Sequence, residues 1–153
     1  MDGTFESVDT VLDFAIQNEI EANRFYLDLA AKMNVPAIKQ VFEDFAAEEQ
    51  GHRTKLEAVK RGDFSFGSGA GKVRGLGLAD YLVESEPKAD MTYAEALILA
   101  MKKEKAAYKL YLDLAAVAEA QELTDLFLGL ASEEAKHKLR FEIEYDDVIL
   151  KED

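Results

Sequence analysis

The chain contains two copies of one sequence pattern, and this duplication limits its possible folds more than any other feature. When the sequence is shifted by 85 residues, 16 of the 51 positions in 10–60 are identical to their counterparts in 95–145. The longest match pairs residues 26–31 with residues 111–116, which both read Tyr-Leu-Asp-Leu-Ala-Ala. Two copies packed together would have approximate twofold symmetry, so any feature on their shared axis would be built twice.

Apolar residues in both copies recur at helical spacing. Steps of three and four residues define four stripes, which run from Leu12 to Met33, from Ile38 to Val59, from Leu97 to Ala118 and from Leu123 to Phe141. Such spacing is typical of amphipathic helices with one inward face. We therefore expect four helices, each turning the residues of its stripe towards a core.

Helix-breaking and capping residues divide these stripes into two hairpins. Pro36 suits the start of the second helix, Gly62 suits its end, and Thr92 followed by Glu95 predicts a capping box at the third. The predicted repeats are residues 7–61 and 92–146, each an antiparallel helical hairpin. A crossover over residues 62–91 joins them, and the whole chain, residues 1–153, is expected to be one domain.

Composition narrows the functional classes. The formal net charge is -13, whereas nucleic-acid binders and proteins that bind anionic membranes normally present a basic face. There is no cysteine, which excludes disulfides, thiolate metal sites and thiol nucleophiles. The first residues have neither a basic region nor an apolar run, and no uncharged stretch approaches the ~20 residues of a membrane helix. We expect a cytoplasmic protein that binds neither nucleic acid nor membrane.

The only two histidines of the chain belong to two Glu-x-x-His motifs. These motifs are Glu49 with His52 and Glu134 with His137, and positions three apart project from one face of a helix. A further glutamate precedes each motif by thirty residues, on the partner helix of the same hairpin. These two residues are Glu19 and Glu104. All six side chains occupy the apolar stripes, so they are expected to point inward.

Four inward carboxylates need positive charge nearby. Burying a carboxylate costs several kcal/mol even after relaxation, and no lysine or arginine occupies any stripe. Two metal ions would supply the charge, and the ligand set is typical of ferritin-like di-iron or di-manganese bundles. We predict Glu19 and Glu104 as terminal ligands, Glu49 and Glu134 as bridges, and one histidine per metal. Two iron ions are expected, although manganese and zinc tolerate these ligands. A single Glu-x-x-His motif would be weak evidence of metal binding. The alternative to a metal site is a helical bundle that binds no metal.

Two tyrosines are candidates for a supporting catalytic role. Tyr26 and Tyr111 follow Glu19 and Glu104 by seven residues and lie on the same helical face. Their hydroxyl groups can hydrogen-bond to ligands or to substrate, and a purely structural core position is the alternative. Gly51, inside the first motif, weakens a helix by about 1 kcal/mol, which predicts a close approach of another helix there.

With these residues in place, the sequence resembles the rubrerythrin family of the ferritin-like superfamily. The similarity rests on the six ligand positions and on the stretches 80–83 (Asp-Tyr-Leu-Val) and 100–104 (Ala-Met-Lys-Lys-Glu). It implies an all-α, ferritin-like four-helix bundle with a long crossover between helices 2 and 3. It also implies a non-haem di-iron oxidoreductase that reduces hydrogen peroxide or dioxygen, and a homodimer in which hairpins can exchange between chains.

Two departures from the family pattern shape the functional expectation. Rubrerythrins typically carry a four-cysteine rubredoxin domain, so a cysteine-free chain would need an external electron donor such as a rubredoxin. They also carry a further glutamate three residues after the third-helix ligand, where this chain has Ala107. The six remaining ligands are the symmetric set of bacterioferritin-like sites. A ferroxidase or iron-handling protein and a non-enzymatic metal-binding bundle are therefore the alternatives.

Overall fold

The structure is a computed structural model that describes residues 5–62, 72–74, 78–83 and 91–152. The chain divides into two compact units, Met1–Gly77 and Leu78–Asp153. Each unit is built around one helical hairpin. Within the described residues, no helix is both long enough and apolar enough to cross a membrane.

Four long helices account for most of the described residues. They are α1 (Val8–Ala31), α2 (Pro36–Lys60), α3 (Tyr93–Val117) and α4 (Gln121–Glu152). α1 and α3 begin 85 residues apart, and so do α2 and α4. The offset between the helix starts therefore equals the offset that aligns the two halves of the sequence.

The first unit contains the hairpin of α1 and α2. Val35 and Pro36 start α2, because proline needs no hydrogen-bonded N–H at the first helical position. Two contacts show that the helices run antiparallel. Lys60 near the end of α2 binds Asp13 near the start of α1, and this contact raises the pKa of Lys60.

Midway along the same hairpin, the side-chain amide of Asn23 donates a hydrogen bond to the backbone oxygen of Ala46 at 2.7 Å. This bond ties the middle of α1 to the middle of α2. The apolar core between them is formed by side chains spaced three and four apart, among them Leu12, Phe42 and Leu56.

A short two-stranded pair accompanies the first hairpin. β1 (Phe5–Ser7) and β2 (Lys72–Arg74) pair antiparallel, with Phe5 opposite Arg74 and Ser7 opposite Lys72. The sequence did not predict these strands, because three residues are too few to show an alternating pattern. Most of the predicted crossover, 62–91, lies outside the described residues.

The second unit contains α3, α4 and a short 3-10 helix, Leu78–Tyr81. The predicted capping box is present: the backbone N–H of Glu95 donates to the Thr92 hydroxyl at 3.1 Å, and the Glu95 carboxylate accepts from the Thr92 N–H at 2.8 Å. α4 has 32 residues and is longer than the sequence pattern indicated. Its core residues include Leu123, Phe127 and Phe141.

Tyr81 anchors the 3-10 helix to α3. Its buried hydroxyl donates a hydrogen bond to Asp113 Oδ2 at 2.7 Å, and Lys109 Nζ binds the same oxygen at 3.1 Å. The Lys109 ammonium also lies 4.9 Å from the centre of the Tyr81 ring, in cation–π contact. The three side chains thus form one polar cluster within the second unit.

This anchor predicts a loss of stability at alkaline pH. Burial, and then the hydrogen bond to Asp113, raise the pKa of Tyr81. Because the folded state holds this proton more tightly, the stabilisation is complete below about pH 10, the pKa of unfolded tyrosine, and is lost as pH rises above it. Tyr81→Phe should lower the free energy of unfolding by about 1 kcal/mol at pH 7.

Urea titrations at a series of pH values from 7 to 11 measure both effects. Burial also raises the pKa of Tyr93, so Tyr81→Phe should reduce the alkaline loss of stability without abolishing it. If the free energy of unfolding falls with rising pH to the same extent in the wild type and in Tyr81→Phe, Tyr81 does not cause the alkaline loss of stability.

The structure corrects two details expected of the helical stripes. Tyr108 is 38% exposed, although its stripe predicted an inward position. It lies one turn after Glu104 at the edge of the stripe, on the same side as Met101, which is also incompletely buried. Gly51 is exposed, and a Cβ added there would meet nothing within 4 Å. Gly51 therefore does not mark a close approach of another helix.

Both helical glycines should be replaceable with a gain in stability. An added Cβ meets nothing within 4 Å at Gly51 in α2 or at Gly129 in α4. Gly51→Ala and Gly129→Ala should each raise the free energy of unfolding by about 1 kcal/mol, because alanine loses less backbone entropy in a helix. Gly62→Ala is the control: its φ of 93° makes a side chain unfavourable, so urea titration should show destabilisation.

Candidate metal centre

The first hairpin holds a cluster of two carboxylates and one imidazole. Glu19 comes from the middle of α1, and Glu49 and His52 come from α2. His52 Nδ1 lies 3.4 Å from Glu19 Oε2 and 3.2 Å from Glu49 Oε1. Each side chain offers one ligand atom, and these atoms lie within 4.8 Å of one another.

The second hairpin holds a cluster of the same composition. Glu104 comes from α3, and Glu134 and His137 come from α4. His137 Nδ1 lies 3.2 Å from Glu104 Oε2 and 3.5 Å from Glu134 Oε1. The ligand atoms of these three residues also lie within 4.8 Å of one another.

Helix geometry explains why each cluster forms. The Glu-x-x-His spacing places Glu49 and His52 one above the other on the inner face of α2. The antiparallel pairing that joins Asn23 to Ala46 also brings Glu19 opposite this motif. In the second hairpin, Glu134 and His137 likewise share one face of α4, and Glu104 of α3 lies opposite them. Both helices begin 85 residues after their counterparts.

The clusters are deeply buried and carry excess negative charge. The six side chains are 0–2% exposed, and within the described residues they are the only buried charged or strongly polar ones. No lysine or arginine is buried in that part of the chain. Each cluster therefore joins two acidic groups to one imidazole in a setting where an uncompensated carboxylate is costly.

This donor set fits iron or manganese. Carboxylate oxygens and imidazole nitrogen suit these metals, whereas thiolate would select zinc or iron–sulfur clusters. A divalent cation within each cluster would offset its two carboxylates, and the 4.8 Å spread of ligand atoms is compatible with one ion between them. The structure thus brings together the three predicted ligands of each hairpin.

Tyr26 and Tyr111 are buried, as their stripes predicted. The Tyr26 ring packs edge-on against Phe45 of α2, with centroids 6.1 Å apart. The Tyr111 ring stacks on Phe127 of α4, with centroids 6.5 Å apart. Both rings therefore have a packing role in their own hairpin, and their predicted catalytic role stays a prediction.

Sequence reasoning gave no role to two polar contacts, one in each unit. Asn23, one turn after Glu19, joins α1 to α2, and its place in the stripe was the only local signal. The contact between Tyr81 and Asp113 spans 32 residues and has no periodic signal at all. The repeated Glu48 is exposed and Glu133 is intermediate in burial, in contrast to the adjacent buried ligands.

The first hairpin matches the model of a known protein family. The Rubrerythrin family model matches residues 10–64. The match includes nearly all of α1, all of α2 and the three ligand candidates of the first cluster. It confirms the resemblance to rubrerythrins over this hairpin. A comparison with proteins of curated function found no significant match.

Two solved structures are similar over almost the whole chain. A hypothetical protein from Pyrococcus furiosus is 28% identical, with 92% of this chain and 89% of that one covered and a TM-score of 0.73. A proposed ferritin-like diiron-carboxylate protein from Thermotoga maritima is 22% identical, with 94% and 97% covered and a TM-score of 0.81. The second likeness confirms the predicted fold class, an all-α, ferritin-like four-helix architecture.

Proposed function

We propose that the chain is a rubrerythrin-like di-iron oxidoreductase that reduces hydrogen peroxide, or dioxygen, with electrons from an external donor. The observation that carries this proposal is the repeated buried cluster of two glutamates and one histidine. The match of the Rubrerythrin model to the first hairpin supports the same reaction class. We further propose that the protein acts in the cytoplasm as a homodimer.

Each hairpin would contribute one set of metal ligands. Glu19, Glu49 and His52 would hold the first ion. Glu104, Glu134 and His137 would hold the second ion. When bound, two iron ions supply two electrons and Lewis acidity for cleavage of an O–O bond.

The residues around the ligands would control protons and water. Reduction of one peroxide consumes two electrons and two protons and yields two waters. Tyr26 and Tyr111 follow Glu19 and Glu104 by two helical turns on the inner face, about 10 Å along the axis. Their buried hydroxyls would relay protons towards the clusters, while Phe45 and Phe127 pack against their rings and limit access of bulk water.

Electrons would come from an external donor. The chain has no cysteine and hence no iron–sulfur centre of its own. A rubredoxin is the type of donor that the family resemblance implies. Two reduced rubredoxins, each giving one electron, would be consumed for every peroxide.

Ferroxidase activity is the second candidate, and one residue favours it. Ala107 stands where rubrerythrins typically have an additional glutamate, so the two clusters have the same three-ligand composition. Such a symmetric ligand set is also suited to binding ferrous iron as a substrate and releasing it after oxidation. A metal-binding bundle without enzymatic activity is the remaining alternative.

Anaerobic iron loading followed by peroxide titration tests the proposal. The protein should bind two ferrous ions per chain, and one peroxide should oxidise both. Addition of reduced rubredoxin should then give repeated peroxide turnover with iron retained. Oxidation with release of ferric iron, or growth of a large shell by light scattering, would favour iron handling. Absence of any reaction with peroxide would reject both activities.

A further inference from the structure

A basic groove runs along the outer side of α3 in the second unit. Its cationic wall consists of Lys102, Lys105 and Lys109, which follow one another at helical spacing. Leu82 and Val83, just after the 3-10 helix, also line the groove, together with Asp80, the one acidic residue of its lining. The groove is open to solvent and has a volume of about 420 Å³. All of its lining residues belong to the second unit.

The concentration of lysine here is unusual for this chain. The net charge is -13, yet residues 102–109 contain four of the 18 lysines and arginines. The only acidic residue in that stretch, Glu104, is buried with the second metal cluster. Lysines close together on one helix face repel each other, so this arrangement disfavours the isolated helix.

The duplication provides an internal comparison. Residues of the second copy correspond to residues 85 positions earlier in the first, where the ligand Glu104 corresponds to Glu19. At the positions of Lys102 and Lys105, the first copy has Gln17 and Ile20, whereas the counterpart of Lys109 is the basic residue Arg24. The ligands are therefore present in both halves, whereas the paired lysines are present in one. Metal binding alone does not require them.

We propose that this groove docks the acidic surface of a redox protein, the electron donor. This inference rests on the proposed function and names where its partner binds. Charge complementarity selects the partner, because a cationic wall in a strongly acidic chain attracts acidic surfaces and repels basic ones. Lys102 and Lys105 are exposed and available for such contacts.

The apolar residues that line the groove favour a protein over a small anion. Leu82 is 61% exposed, and Val83 and Ala106 add further apolar surface that is only partly covered. An apolar centre with a charged rim is the usual anatomy of a protein–protein interface. The ammonium group of Lys109 already binds Asp113 and stacks on Tyr81, so it does not converge with the other lysines on one small ligand.

The position on α3 suits delivery of electrons to the second cluster. Glu104 lies between Lys102 and Lys105 in sequence and points to the opposite, buried side of the helix. An α-helix with its side chains is about 10 Å across. A partner seated against the lysines would thus be separated from this ligand by roughly one helix.

A charge-reversal pair tests the docking site on the iron-loaded protein. The variant Lys102→Glu/Lys105→Glu is compared with Lys39→Glu/Lys55→Glu, which makes the same change in net charge at two exposed positions of α2. Binding of an acidic rubredoxin is measured by calorimetry at low and high salt. Reduction of the oxidised protein by the same rubredoxin is followed by stopped flow.

The groove variant should lose on the order of tenfold in association rate at low salt, and the control should lose much less. Added salt should weaken binding of the wild type and narrow the difference. Equal losses in both variants would overturn the proposal, as would binding insensitive to salt or no binding at all. Inorganic triphosphate, a small polyanion, should not displace the rubredoxin when it is added at the same concentration of negative charge. Full displacement by triphosphate would also overturn the proposal.

One control separates this proposal from the proposed function. Oxidation of the ferrous protein by peroxide needs no donor, so its rate should be the same in wild type and both variants. If the ferrous wild-type protein does not react with peroxide, the proposed oxidoreductase function is rejected. Normal peroxide reactivity together with donor binding unaffected by Lys102→Glu/Lys105→Glu would reject only the docking site.

Discussion

Replacing His52 with alanine is expected to lower the iron content of the loaded protein from two ions per chain to about one. His52 is the only nitrogen ligand in its cluster, and its loss leaves two carboxylates and a cavity. His137→Ala should have the same effect, because the second cluster has the same composition and similar distances. The double variant His52→Ala/His137→Ala should retain little tightly bound iron.

Iron content is measured by elemental analysis after anaerobic loading and removal of weakly bound ions. Gly51→Ala is the matched control, since it changes the residue before His52 without contacting the cluster and should keep both ions. Circular dichroism should show folded helices in every variant. Two retained ions in either single histidine variant would refute the corresponding ligand assignment.

Metal binding should raise the melting temperature by about 10–20 °C at pH 7. Each ion at a concentration 100-fold above its Kd contributes about 2.7 kcal/mol, so that two ions give about 5 kcal/mol. For a domain of this size, 1 kcal/mol corresponds to about 2–4 °C. The physical origin is the cancellation of charge on four buried carboxylates.

An isosteric change separates this effect from ordinary packing. Glu49→Gln removes one buried negative charge, so the metal-free variant should melt higher than the metal-free wild type, and its response to metal should shrink. Glu48→Gln is the matched control, because Glu48 is exposed and adjacent. Calorimetry with and without chelator measures both quantities. An unchanged metal response in Glu49→Gln would contradict the role of this carboxylate.

Local patterns in the sequence were enough to place the residues of each cluster on the inner faces of their helices. Glu49 and His52 share a helix face by spacing alone, and the apolar stripe around them indicates that this face is buried. Pro36 and the Thr92–Glu95 pair mark helix starts through specific backbone chemistry, and the structure places both starts there. These signals are local, so no knowledge of the rest of the chain was needed.

The features that escaped prediction depend on contacts between distant parts of the chain. The bond from Tyr81 to Asp113 joins residues 32 apart, and β1 pairs with a strand 65 or more residues away. Tyr108 shows the limit of periodicity, since a residue at the edge of a stripe is buried or exposed according to its neighbours. The lysines of α3 were visible in the sequence, but only the structure shows that they line one groove with Leu82 and Val83.

Each hairpin supplies two glutamates and one histidine from its own two helices, and this has a consequence for the order of folding. Glu19 and Glu49 are thirty residues apart, and the connection between α1 and α2 is short, so the contacts of the first cluster are local in sequence. All three of its side chains are synthesised before the first residue of α3. Ribosomal synthesis therefore presents the first set of ligands to cellular metal well before the second set exists.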